Sequence, residues 1–113
     1  MIKISWDVEE LVALIDIYRR NTSSSAKIDI NSELQQLSIA LNKRAELLGI
    51  IHDDKYRNLN GMKLMYQNVA YIATGGTQGM SSTSSTMRKI YGLLESNPDV
   101  FELILSEFQA RYL

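Results

Sequence analysis

The stretch KYRNLNGMKLMYQ, residues 55–67, carries the side chains best suited to chemistry in this sequence. Asn60 and Gln67 each hold a donor beside an acceptor, the arrangement that pairs bidentately with adenine. Lys55, Arg57 and Lys63 are cations for guanine or phosphate, and Asn58 stands among them as a further polar contact. Farther along, Arg88 and Lys89 add positive charge for a nucleic-acid backbone. On a helix, at about 100° per residue, Met62, Met65, Val69 and Ile72 gather on one side, and Asn60, Lys63, Gln67 and Thr74 point the other way. A helix with amides and a cation outward, and with Lys55 and Arg57 just before its first turn, suits the major groove of double-stranded DNA. Asn68 falls at the edge of the apolar side, where its expected task is to tie down a neighbouring backbone. Any surface helix turns polar residues outward, so spacing alone does not separate a recognition helix from a solvated face.

The 113 residues include 12 basic and 13 acidic side chains, for a net charge of −1. That balance argues against a protein that coats nucleic acid indiscriminately, which needs a broad basic surface. The positive charge is segregated, however: residues 55–94 hold five basic side chains and no acidic one. Residues 1–50 are nearly balanced, and after Leu94 the acids Glu95, Asp99, Glu102 and Glu107 face one base, Arg111. With no cysteine and a single histidine, His52, the sequence excludes disulfides, thiolate zinc sites, thiol catalysis and multi-histidine metal sites. No cofactor is expected. No apolar run approaches the roughly 20 residues that span a bilayer, and no basic-then-apolar leader is visible. A cytoplasmic protein without a membrane partner is the expectation.

The remaining candidates for chemistry are weak. Glu9 and Glu10 stand about 100° apart on a helix and do not converge for acid–base work. Asp53 and Asp54, beside His52, supply too few oxygens for a hard cation. Serines are plentiful, but one histidine gives no Ser–His–Asp geometry to argue from. TGGTQGMSSTSST, residues 74–86, is rich in Gly, Ser and Thr, which lets backbone N–H groups approach an anion. It lacks the lysine and the glycine order of a phosphate-binding loop, and no strand precedes it. It reads as a turn-rich link whose hydroxyls could touch DNA phosphate. Enzymatic activity is not expected.

Five helices are expected to position these residues. SWDVEELVALIDIYRRN sets Val8, Leu11, Val12, Ile15 and Tyr18 on one face, with Asp7 and Glu10 as a capping box and Trp6 packing back on the first turn. INSELQQLSIALNKRAELLG repeats the pattern through Leu34, Leu37, Leu41, Arg44 or Ala45, and Leu48, with Ser32 and Gln35 as a capping pair and Gly49 as the stop. The third helix is expected from about Leu59 to Ala73, with Asn58 or Asn60 near its cap. A fourth carries Met87, Ile90, Tyr91 and Leu94. A fifth opens with Asn97 as cap and Pro98 in its first position, and buries Phe101, Ile104, Leu105, Phe108 and Tyr112. The fold class is all-α: a compact bundle of about five helices in a single domain over residues 1–113, with the first three forming a trihelical, helix-turn-helix-like core.

WDVEELVALIDIY, then LQQLSIAL, then a tight link into a third helix resembles the trihelical Myb-like helix-turn-helix plan. More closely, the chain resembles the N-terminal helical domain of bacterial HNH-nuclease and helicase proteins of restriction and defence systems. Trp6, Glu9, Glu10, Leu11 and Tyr18 match that domain's Trp-x-x-Glu-Glu-Leu and later Tyr. Arg57, Asn58, Asn60, Gly61 and Met62 match an Arg-Asn-x-Asn-Gly-Φ-x-Lys segment, with Lys63 one place before its lysine and Asn68 shifted beyond a strict reading. Gly76, Gly79, Met80 and Ser81 match a Gly-x-x-Gly-Φ-Ser segment. The resemblance implies a module that recognises double-stranded DNA, modified DNA included, and feeds an effector nuclease or helicase domain in the same or another chain. The nuclease itself is absent from these residues, because its HNH site needs several histidines. The chain is then a module of a larger protein or a stand-alone relative. The alternative is a helical adaptor or inhibitor that docks a partner, or a second copy as a homodimer, through Leu64, Tyr66 and Tyr71.

Overall fold

The computed structural model describes residues 5–23, 28–80 and 84–113; Ser81, one position of the resemblance, lies outside them. The chain is all-α, with helices α1 (Val8–Ser23), α2 (Ile30–Leu47), α3 (Leu59–Ala73), α4 (Ser85–Ser96) and α5 (Pro98–Tyr112), and with no strand among the described residues.

The apolar spacing of α1 predicts one buried face, but the helix is buried all round from Glu10 to Ile17. Ala13 and Ile17, roughly opposite Leu11 and Ile15, are as covered as they are, and Val8 is left exposed. The reason is position: α1 packs against each of the other helices, and a surrounded helix needs apolar contacts on every side. Asp16 is buried there too, and it is paired with Arg19 at 2.7 Å and Arg20 at 2.9 Å. The same arginines reach Glu102 on α5 and Glu33 on α2, so one buried carboxylate ties the central helix to two neighbours.

The helix ends follow local rules, with two departures. Asp7 and Glu10 form the expected capping box, each side chain accepting from the other's backbone N–H at 3.1 Å. Asn58 caps α3, as expected, by accepting from Gly61 N–H at 2.8 Å. Ser32 is not the cap of α2. The helix starts earlier, and Asp29 takes that role by accepting from Ser32 N–H at 3.2 Å. Gly49, in a left-handed conformation at φ 72°, stops α2 with its N–H on the Glu46 carbonyl, while Ile50 N–H closes back on Ala45. Asn97 makes no side-chain cap. It is the single residue between α4 and α5, so its N–H finishes α4 on Leu93 while its carbonyl already accepts from Phe101.

Helices α1, α2 and α3 pack against one another as a trihelical core. The link between α2 and α3 is not tight: it runs over residues 48–58, longer than the roughly 3–4 residues of a helix-turn-helix turn.

Candidate nucleic-acid interface

The link into α3 is held by side chains from two helices. On α2, Ser38 Oγ donates to the Arg57 carbonyl at 2.6 Å and Asn42 Nδ2 donates to the Tyr56 carbonyl at 3.0 Å. From α1, the buried Glu10 accepts from Arg57 Nε at 2.6 Å and from Arg57 Nη2 at 3.0 Å. Nη2 also reaches the Ser5 carbonyl at 3.2 Å. The Arg57 guanidinium lies 4.7 Å from the centroid of Trp6 and 4.4 Å from that of Tyr56. Its backbone is left-handed, at φ 49°, a conformation that costs a non-glycine residue on the order of 1 kcal/mol or more.

These contacts correct the sequence-based role of Arg57. Expected to meet DNA, its side chain is instead 8% exposed and bound bidentately to a carboxylate. It is a strut between the first turn of α1 and the entrance to α3. Asn58 is also partly committed, because its Oδ1 caps the helix, although the residue stays exposed.

The other expected contacts lie at the surface. Asn60, Lys63 and Gln67 are exposed along the outward line of α3; Lys55 is exposed just before it, and Arg88 and Lys89 are exposed on α4. Among the described residues, none of Lys55, Lys63, Arg88 and Lys89 is within ion-pair distance of a carboxylate. Thr74 departs from the outward line. Its hydroxyl donates to the Ala70 carbonyl at 2.7 Å and accepts from Gln78 N–H at 3.0 Å, so it organises the following turn.

That turn folds back along α3. Met80 N–H donates to the Gln67 carbonyl at 3.2 Å. Gly79, at φ 83°, makes the approach feasible, since a Cβ there would fall 2.1 Å from the same carbonyl oxygen. Residues 74–80 are therefore a fitted part of the site rather than a plain connector.

Between this turn, the link and α3 lies a pocket of about 450 Å³. Gly61, Leu64, Met65 and Asn68, spaced i, i+3, i+4 and i+7, form its α3 side, and Trp6, Lys55 and Met80 border it. Asn68 sits at the core edge as expected, yet among the described residues it ties down no backbone. Its Nδ2 has Met65 Sδ at 3.7 Å, and its Oδ1 is buried without a hydrogen-bond partner. The pocket was missed from the sequence because its wall is assembled from four separate segments, although the helical spacing of the α3 residues was visible.

The rival surface on α3 is interrupted. Leu64 is exposed, but Tyr66 packs on Tyr18 with ring centroids 5.5 Å apart, and its hydroxyl accepts from Asn21 Nδ2 at 3.2 Å. Burial raises the Tyr66 phenol above its ordinary value. Other apolar side chains are exposed at the end of α2 and just after it, where Leu47, Leu48 and Ile51 are all more than half exposed.

Among the described residues, no group of three or more His, Asp or Glu is placed to hold a metal ion, and no helix is long and apolar enough to cross a membrane. Compared with protein families, with curated proteins and with solved structures, the chain gave no match in any of the three.

Proposed function

We propose that the chain is a non-catalytic module that recognises double-stranded DNA through the outward face of α3 and serves an effector, a nuclease or helicase domain in the same or another chain, of the restriction and defence type. The observation that carries this reading is the exposure of Asn60, Lys63 and Gln67 along one line of a helix, with no carboxylate paired to Lys63 among the described residues. Amides on such a line can meet base edges in the major groove, and the lysine can meet phosphate. Lys55, Arg88 and Lys89 supply backbone contacts. The modest charge suits a protein that reads rather than coats.

The test is a polarisation titration of labelled duplexes, with and without base modification, across a salt series. Lys63→Ala is expected to weaken binding to every sequence and to reduce the slope of log K against log salt by about one unit. Asn60→Ala and Gln67→Ala are expected to relax base preference, by roughly 1–3 kcal/mol where a bidentate pair is lost. No binding of any duplex at low salt overturns the reading.

A second reading, a protein-interaction module, is favoured by the exposed Leu47, Leu48 and Ile51 at the end of α2 and just after it. Exposed apolar groups of this kind mark docking surfaces, for a partner protein or a second copy. Light scattering of the chain alone, with and without Leu47→Asp, separates a self-associating surface from a free one.

A further inference from the structure

We propose that the pocket beside α3 receives an adenine base turned out of the duplex, hydrogen-bonded by the amide of Asn68. The inference rests on the DNA-binding reading above and deepens it. A buried amide oxygen without a partner is destabilising, and proteins of this size hold few of them. Asn68 lines the pocket at 8% exposure, and its remaining polar contact is a thioether sulfur at 3.7 Å. A leucine would fill the same space without the penalty. A ligand that brings a donor and an acceptor to the amide accounts for the asparagine.

The surroundings narrow that ligand. The volume of about 450 Å³ lies within the range of roughly 300–1,000 Å³ typical of small-ligand sites. Its walls are mainly apolar, from Leu64, Met65 and Met80 with the Trp6 indole, and of the two cations that also line it Arg57 is already bound to Glu10, so the pocket is not built for a bare anion. An aromatic ring with adaptable thioethers suits a flat heterocycle. An asparagine amide matches the N6 and N7 edge of adenine, giving one hydrogen bond in each direction. Lys55 is exposed at the border of the pocket, where it can take the phosphate flanking the displaced nucleotide.

Placement makes the step geometrically direct. With about 100° per residue, the line through Gly61, Leu64, Met65 and Asn68 lies next to the line through Asn60, Lys63 and Gln67, and Leu64 stands between them. A duplex docked on the outward face therefore has the pocket mouth beside it. Met80 is 43% exposed on an unbranched side chain, so it can swing aside while its backbone stays fixed to Gln67. Turning a base out costs least when it is unpaired, which gives the experiment its handle.

The test uses the whole chain and three duplexes of one sequence. The first has a central adenine opposite thymine, the second has the adenine opposite an abasic position, and the third replaces that adenine with purine, which lacks the N6 amino group. Binding is read by polarisation of the labelled duplex. Occupancy of the pocket is read from Trp6, the only tryptophan in the chain. The unpaired adenine is expected to bind about tenfold more tightly than the unpaired purine and to quench Trp6 emission. Asn68→Leu is expected to abolish that preference while keeping affinity for the fully paired duplex and melting no lower than the parent. Equal affinity for adenine and purine, or unchanged Trp6 emission with the unpaired adenine, overturns the pocket assignment while the paired duplex still binds. Failure to bind all three duplexes overturns the DNA reading itself. The comparison of the two bases needs no variant, so it decides the matter even where Asn68→Leu folds poorly.

Discussion

Replacing Glu10 with alanine tests how this fold holds its candidate site. Glu10 is 1% exposed, and its carboxylate accepts from Arg57 Nε, from Arg57 Nη2 and from the Asp7 N–H. Glu10→Ala leaves the Arg57 guanidinium at 8% exposure without its carboxylate. Removing one partner of a buried pair costs about 3–5 kcal/mol, because the other charge stays desolvated. Losing half of the capping box adds up to about 1 kcal/mol. The left-handed backbone at Arg57 is present before and after the substitution, so its cost does not add, although the link becomes freer to relax. A loss of about 4 kcal/mol is expected, against a total stability of about 5–15 kcal/mol for a domain. For a chain of this length that lowers the melting temperature by about 15 °C.

The assay is thermal and urea unfolding followed by far-UV circular dichroism, with Arg57→Ala and the double variant completing a cycle. The double variant is expected to be more stable than Glu10→Ala alone, since it removes the buried cation together with the carboxylate that neutralises it. A loss below about 1 kcal/mol for Glu10→Ala, or a double loss equal to the sum of the singles, refutes the view that this pair is the main fastening of the link.

Three further outcomes follow from single contacts. Gly79→Ala is expected to cost more than about 1 kcal/mol, because its Cβ would fall 2.1 Å from the Gln67 oxygen at a φ of 83°, and hydrogen exchange at Met80 N–H should speed up. Asn58→Ala is expected to cost about 1 kcal/mol in urea unfolding through loss of the cap on Gly61 N–H, while Asn58→Asp keeps most of it. Burial first, and then the negative charge of Glu10, raise the Tyr56 phenol above its ordinary 10.0. The folded state favours the neutral phenol, so the stability it contributes is full below pH 10.0 and is lost as pH rises beyond that value; melting curves should show Tyr56→Phe flattening the alkaline decline.

The elements were legible because they rest on local signals. The period of Met62, Met65, Val69 and Ile72 and the Asn58 cap place α3 at Leu59–Ala73, as observed. Asn97 as cap position and Pro98 as first helical residue were legible, but an asparagine before a proline looks the same whether its side chain or its backbone closes the helix. Central burial of α1 was missed because periodicity finds the first buried face of a helix, whereas Ala13 and Ile17 become core only when other helices cover them. Arg57 was misread for a related reason. Its partner, Glu10, stands far away in the sequence, in a segment where charge counting shows only local balance. Exposure of Asn60, Lys63 and Gln67 was readable from spacing, while the pocket needed the 74–80 turn to fold back on α3, a contact that no local pattern announces.

Arg57 and Lys63, on either side of the start of α3, thus belong to different physical problems, although they look interchangeable in the sequence. Arg57 lies under Trp6 and Tyr56 with its charge met by Glu10, so its loss changes how α3 is presented. Lys63 is exposed and, among the described residues, paired with no carboxylate, so its loss changes the field that a phosphate meets and leaves the fold nearly untouched. Arg57→Ala should therefore lower the melting temperature and keep the salt slope of any residual binding, while Lys63→Ala should do the reverse. Because the strut also fixes Trp6 at the border of the pocket, weakening it should blunt the response of Trp6 emission before it changes affinity for a paired duplex. If both substitutions moved the salt slope equally, Arg57 would be exposed in solution, and neither the buried pair nor the pocket wall built on it could stand as described.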